Sequence, residues 1–284
     1  MTVEQTRTER ETDPQPSRWA SGLRIFPPGL YAGRASRLVE RSLLAGKGAW
    51  LAILSGFFEP VFYLISFGFA FGGMVGQISG PGGAPIEYAA FIAPGLLAVS
   101  AMNGAVYDAT FNIFFKLRYA KLYDAVLATP MGPLDVAIAE IAWAVLRGGV
   151  YAAGFLSVMF GMGLITSPWA LLALPVALLI SFAFAAVGMA ATTFIRSTQD
   201  FDFVQLAILP MALFSTTFFP LEVYPRVAQF LVQCLPLFHG VELMRALATG
   251  VVSWGLIGHV GYFVVMAGIG VIVATRRLEK LLLT

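Results

Sequence analysis

Charge is scarce in this 284-residue chain. Lys, Arg, Asp and Glu together make up 12% of it and hydrophobic residues 58%, whereas a water-soluble domain carries about a quarter charged residues. The excess apolar matter has to face lipid, which argues against a soluble enzyme or a disordered chain. A net charge of +2 is too small for a polyanion footprint, so no nucleic-acid partner is expected. The single cysteine, Cys234, excludes an internal disulfide framework and a cysteine-rich metal site, and leaves only a bridge to a second chain open. The two histidines, His239 and His259, have no obvious ligand set, so no metal is expected and both are read as structural. A phosphate-binding G-x-x-x-x-G-K-[ST] segment is missing: Gly46-Lys47-Gly48 lacks the first glycine and the following hydroxyl. No G-x-S-x-G elbow or H-E-x-x-H segment occurs either.

What is present is a series of long apolar runs. Each is compared with the roughly 20 residues a helix needs to cross a ~30 Å hydrocarbon core. Six qualify: Trp50 to Gly73, Ala89 to Phe115, Ile141 to Ile165, Trp169 to Ile195, Phe203 to Phe219 and Leu256 to Thr275, the fifth being the shortest. Barrel strands would alternate in polarity, and runs such as Trp169 to Ala191 do not. The expected fold is an all-α integral membrane protein.

Residues 1–28 are polar, charged and proline-containing, without the apolar stretch of a secretory signal. They are read as a disordered cytoplasmic tail, and residues 29–284 as the membrane domain. Between Tyr31 and Lys47, apolar residues recur at helical spacing while Arg34, Arg37 and Arg41 share another face, as in a helix lying in the headgroup layer. An ordinary solvated charged face would read the same way. Basic residues are retained on the cytoplasmic side. Fifteen of the eighteen Lys and Arg fall in the two ends, in 116–135 and in 196–202. A multi-pass protein of the cytoplasmic membrane with both termini cytoplasmic follows.

Two connections look structured. Lys116 to Asp135 reads as a short amphipathic helix ended by Thr129-Pro130, a candidate docking element or a plain loop helix. Pro220 to Gly250 is too apolar for a solvated loop and too broken by proline for a span, as re-entrant or interfacial helices would be.

Ionisable groups at membrane depth are expensive and face protein or water. Glu59 lies in the first predicted span, Asn103, Asp108 and Asn112 in the second, and Arg147 in the third. An interhelical ion pair to Arg147 from Glu59 or Asp108 is expected, with Glu59 and Arg147 assigned as the charge pair; a substrate or proton site is the alternative. Asp108 and Asn112 share a helix face. Near the end of the fifth segment, Ser215, Thr216 and Thr217 sit among aromatics. They either line a path for an amphipathic solute or bond back to their own helix. Gly68, Gly72 and Gly76 make two GxxxG steps that would allow close helix contact.

The order of segments carries a resemblance. APGLLAVSAM at Ala93 to Met102, a basic loop ending in LATPMGP, FFPLEVYP at Phe218 to Pro225 and LPLFHGVELMRALATG at Leu235 to Gly250 resemble an ABC-2 type transporter permease. The similar branch includes nodulation-factor and daunorubicin-resistance exporters. The resemblance covers roughly residues 30–284.

It implies a permease paired with an identical or related copy, with two ATPase subunits on separate chains that carry the ATP and Mg²⁺; this chain itself would hold no cofactor. Carried over, Arg118 to Pro130 becomes the ATPase-coupling helix, with Arg118, Tyr119, Leu122, Tyr123, Asp124, Thr129 and Pro130 as its residues. Tyr31 to Lys47 becomes the interfacial helix, and Pro220 to Gly250 the re-entrant pair. The expected substrate pathway comprises Asn103, Asp108, Phe111, Asn112, Phe214, Thr216, Thr217 and Phe218, mostly aromatic or polar and uncharged. The cargo would then be a hydrophobic or amphipathic drug, glycolipid or lipid-linked saccharide. An ATP-independent channel, or a membrane-embedded enzyme using Asp108 and Arg147, is the alternative.

Overall fold

The computed structural model describes residues 35–46 and 50–282; the predicted tail over residues 1–28, and Tyr31, lie outside them. The elements in order are α1 (Ala35–Gly46), α2 (Trp50–Val75), β1 (Gln77–Ser79), β2 (Pro85–Glu87), α3 (Tyr88–Tyr107), α4 (Ile113–Arg118), α5 (Leu122–Leu127), α6 (Pro133–Gly161), α7 (Ala173–Thr192), α8 (Phe201–Phe214), α9 (Arg226–Cys234), α10 (Pro236–Thr249) and α11 (Leu256–Leu282). The protein is thus an all-α membrane protein with one small β-ribbon that composition did not predict. The ribbon pairs Ile78 with Ile86 around a glycine- and proline-rich turn.

Among the described residues, five helical segments are long and apolar enough to cross a membrane: Phe58–Val75, Tyr88–Arg118, Pro133–Gly161, Pro168–Thr192 and Leu256–Leu282. The fifth sequence segment behaves differently. Its helix, α8, has 14 residues and is about 21 Å long at 1.5 Å per residue, short of the hydrocarbon thickness. It stops because Thr216 adopts a left-handed backbone (φ 59°), and Arg245 of α10 takes the Thr216 carbonyl at 2.6 Å. The apolar Pro220–Gly250 connection forms two helices, α9 and α10, that meet at 88°. The break lies at Leu235, whose extended backbone precedes Pro236, as the ring of a proline demands of the residue before it.

The bundle is built around α3. The apolar window of that segment is 83% buried, against 17% for those of α2 and α11, so α3 is central and the latter two present most of their surface outward. α3 packs on α2, α6, α7 and α10, and α7 packs on α11. Small residues set these distances. A Cβ on Gly148 of α6 would lie 2.3 Å from the Ser181 hydroxyl of α7 and 3.1 Å from the Ala101 carbonyl of α3. The Ser181 hydroxyl itself donates to Ala101 O at 3.1 Å, locking three helices at one point. A Cβ on Gly270 would lie 2.7 Å from the Ala186 backbone. The GxxxG steps of α2 make no comparable crossing within the chain: Gly72 has open space around it, and Gly68 meets only Ala89.

In α1, Ala35, Leu38, Val39 and Ser42 are partly covered while Arg37, Glu40 and Arg41 are exposed, the two faces the sequence predicted. Arg37 and Glu40 pair at 3.2 Å, a contact worth little at such exposure. Leu38 packs on the core, and α1 lies against α6.

Gly270→Ala pushes α11 off the α7 backbone and costs about 1–3 kcal/mol, the usual range for overpacking. Gly268→Ala, where nothing lies within 4 Å, leaves the melting temperature in detergent unchanged, and comparing the two melts checks the packing.

Candidate functional site

α3 runs as a regular helix to Tyr107 and then widens into one π-helical turn, Asp108–Asn112, before α4 continues. Such a turn inserts a residue and disturbs the regular carbonyl-to-amide ladder. α7 supplies compensation: the Thr192 hydroxyl lies 2.9 Å from Ala109 O and 3.5 Å from Thr110 O, and also 2.9 Å from Gly188 O in its own helix. The Thr110 hydroxyl donates back to Val106 O at 2.7 Å.

The widened turn aims Asp108 at α6. There Arg147 donates Nη1 to Asp108 Oδ1 at 3.0 Å, with side-chain exposures of 13% and 2%. Asn112 donates to the same oxygen, and Arg147 Nε donates to the Tyr151 hydroxyl at 3.1 Å. The guanidinium also lies 5.4 Å from the Tyr107 ring centre. This corrects the assignment of Glu59 as the partner of Arg147. Glu59 is exposed on α2 and makes no ion pair with Arg147, because the π turn has already delivered a carboxylate to that guanidinium. Asp108 is no free base either, since its carboxylate is buried and engaged twice.

Beside this pair lies a cavity of about 690 Å³ between α2, α3, α6 and α8. Among the expected pathway residues, Asn103, Phe111 and Phe218 line it. Asp108 and Asn112 sit behind its wall and reach it through Arg147. Phe214 is half-exposed at the end of α8 and does not line it. Thr216 and Thr217 are buried, and their hydroxyls, with that of Ser215, have no hydrogen-bond partner among the described residues. They neither line this cavity nor bond back to the helix, because the chain turns out of helical geometry there.

At one end of the bundle, the loop residues predicted for coupling form a corner. α4 ends at Arg118, whose Nη2 donates to Ile195 O at 3.4 Å. Tyr119 is 65% exposed and stacks on Phe115. Lys121 takes a left-handed backbone to start α5. On α5, Asp124 points outward and Leu122 is partly covered. The Thr129 hydroxyl caps the end by donating to Val126 O at 2.5 Å, and Pro130 is exposed in the turn that follows. Asp135 Oδ2 then accepts from Gly132 N at 3.0 Å, opening α6.

Tyr123 is the exception among these residues. It is 1% exposed, so it cannot be a surface contact; helical spacing turns it inward with Val126. Its hydroxyl is buried beside Glu140 without a well-formed hydrogen bond, and that carboxylate is taken by Lys116 at 2.6 Å. Burial first, then the negative Glu140, hold the phenol well above its ordinary range, with Arg41 of α1 opposing.

Two further arrangements escaped sequence reasoning. Arg245 is buried beneath Phe91, 4.0 Å from its ring centre, and pairs with Glu242 at 3.0 Å. His239 and His259 meet across α10 and α11 with Nδ1 atoms 2.7 Å apart. The Glu242 pair follows the i,i+3 spacing of one helix, but no spacing along the chain signals the contact with Phe91 or the meeting of the histidines, because each joins separate helices.

This bundle, with an exposed corner helix, a bent helix pair and an interior cavity, has the parts of a transporter membrane subunit. A family model described as ABC-2 type transporter matches residues 35–248, and the chain belongs to that family. Nodulation protein J of Rhizobium leguminosarum bv. trifolii is 33% identical over 246 residues, covering 86% of this chain and 92% of the relative. The protein of that name from R. leguminosarum bv. viciae is 32% identical over 246 residues, covering 86% and 93%. The one from Sinorhizobium fredii is 32% identical over 247 residues, covering 86% and 92%. The chain is thus a multi-pass membrane subunit of an ABC transporter.

Asp108→Ala leaves Arg147 buried without its partner and destabilises the protein by about 3–5 kcal/mol, read as a large drop in melting temperature in detergent. A phenol whose pKa is raised on folding stabilises fully below its unfolded value, about pH 10, and that contribution is lost as pH rises through the folded value. The melting temperature therefore falls above pH ~10 in a part that Tyr123→Phe removes, checked by melts of both proteins across that range.

Proposed function

We propose that this chain is the permease of an ATP-driven exporter in the cytoplasmic membrane, with both termini cytoplasmic. Two ATPase subunits dock on the corner formed by α4 and α5, and hold the ATP and Mg²⁺ that this chain lacks the motif to bind. A second permease, identical or related, completes the path, and α8 and the bent pair α9–α10 serve as the short fifth span and the re-entrant outer closure of a six-span bundle.

The observation that carries this reading is the corner itself. Tyr119 and Asp124 project outward, while Tyr123 on the same short helix is locked into the bundle beside Glu140. One face is free to meet a partner and the other is buried in the bundle beside Glu140 of α6, so a push on α5 reaches the helix that carries Arg147. The cytoplasmic placement is supported by the basic residues gathered at this end: Arg118 reaches the α7–α8 turn, and Arg277 of α11 lies 4.2 Å from the Phe194 ring centre in the same turn. ATP binding draws the ATPases together, and its preference for one of two permease states supplies the free energy of the shift. The cargo is hydrophobic or amphipathic, in keeping with a cavity lined mainly by aliphatic and aromatic side chains.

The tagged chain, co-expressed with the products of its neighbouring genes and recovered in nanodiscs, co-purifies an ATPase. Tyr119→Ala and Asp124→Ala, both at exposed positions and neutral for the melting temperature, weaken that capture or uncouple hydrolysis by roughly tenfold, a loss of about 1.4 kcal/mol at the contact. A folded chain that recruits no ATPase would overturn the reading.

A further inference from the structure

The charges facing the cavity do not balance. Among the described residues, two charged side chains line it, Glu59 from α2 and Arg147 from α6. The positive charge of Arg147 is already met by Asp108 at 3.0 Å, from a carboxylate that is 2% exposed and hydrogen-bonded by Asn112 as well. Glu59, by contrast, has no ion pair or hydrogen bond among the described residues. Counting the buried partner with the wall, the described lining carries one negative charge in excess.

The rest of the lining favours the same sign. Tyr63, Phe67, Tyr107, Phe111, Phe201 and Phe218 all face the space, and several are held in a connected stack. Tyr107 and Phe111 have ring centres 5.5 Å apart, Phe111 and Phe201 5.2 Å, and Phe67 and Phe218 5.1 Å. Aromatic faces are electron-rich and attract cations, more strongly where water is excluded. A wall that is apolar, aromatic and singly negative selects a cation with a large apolar body.

An anionic cargo fares worse. The guanidinium that would greet a phosphate or carboxylate is spent on Asp108, and releasing it would strand a buried carboxylate, at a cost of several kcal/mol. An anion would then approach Glu59 with nothing to offset the repulsion. A neutral saccharide could stack on the rings but would leave the Glu59 carboxylate without a counter-charge.

We propose that this cavity is a binding site for lipophilic cations, with Glu59 as the residue that selects the charge and the aromatic stack as the seat of the apolar body. The proposal rests on the exporter reading above and names its substrate class.

Tetraphenylphosphonium and tetraphenylborate have the same shape and opposite charge, and so test it directly. Equilibrium dialysis of each against the full-length chain in phosphatidylcholine nanodiscs, with empty nanodiscs subtracted, measures saturable binding. The phosphonium binds more tightly than the borate by roughly tenfold or more, a preference of at least about 1.4 kcal/mol. Glu59→Gln brings the ratio near one, whereas Glu59→Asp retains it. Equal binding of the two ions, a preference for the borate, no saturable binding of either, or an unchanged ratio in Glu59→Gln would each overturn the proposal. Because no ATPase is present in this measurement, loss of the cation preference beside intact ATPase capture would remove the substrate class and leave the exporter reading standing.

Discussion

A guanidinium placed within the apolar span of α6 must find its counter-charge inside the protein, since hydrocarbon offers none. Arg147 does so with Asp108, and much of the surrounding structure follows from that requirement. The carboxylate comes from the adjacent helix at the one turn where α3 departs from α-helical geometry. That departure would leave carbonyls poorly satisfied in a medium without water, and Thr192 of α7 reaches across to them. The crossing at Gly148 and Ser181 holds α3, α6 and α7 close, one residue along α6 from the pair. The ion pair and the contacts around it thus tie three helices into one unit, and the cavity lies between α3 and α6 of that unit and α2 and α8.

The same helix pair carries a second rung. Lys116, beyond the π turn, meets Glu140, seven residues before Arg147 on α6. Tyr123 packs beside that carboxylate. Between the corner helix α5 and the cavity there are therefore two separate ion pairs joining the α3–α4 line to α6, Lys116–Glu140 and Asp108–Arg147. Ion pairs in an apolar setting tolerate little stretching before desolvation cost exceeds attraction. A displacement of α5 is then better accommodated by moving the pair of helices together than by pulling them apart. This gives the proposed coupling a physical route from α5 to the cavity wall.

Several features of the site were legible from the residues. Glu59, Asp108 and Arg147 stood out because ionisable groups at that depth are rare, and the corner helix stood out because proline ended an amphipathic segment. Which carboxylate pairs with Arg147 was not legible, since it depends on a π turn that no local propensity announces. Tyr123 looked like a contact residue by its chemistry, yet the phase of a six-residue helix against the bundle turned it inward. The hydroxyls of Ser215 to Thr217 were placed on a helix that ends before them, because Arg245, about thirty residues later, holds the turn open.

By itself the sequence determined that this is a helical membrane protein, where its long spans lie and which end is basic. Hydropathy and charge act along the chain and need no partner to be expressed. It also carried the family, through short motifs in a fixed order. Tertiary structure alone decided the ion pairing, the end of α8, the meeting of His239 with His259 and the sign of the cavity. Each of these depends on contacts between separate helices, and in an apolar medium the energy of a charge is set by the atoms that surround it.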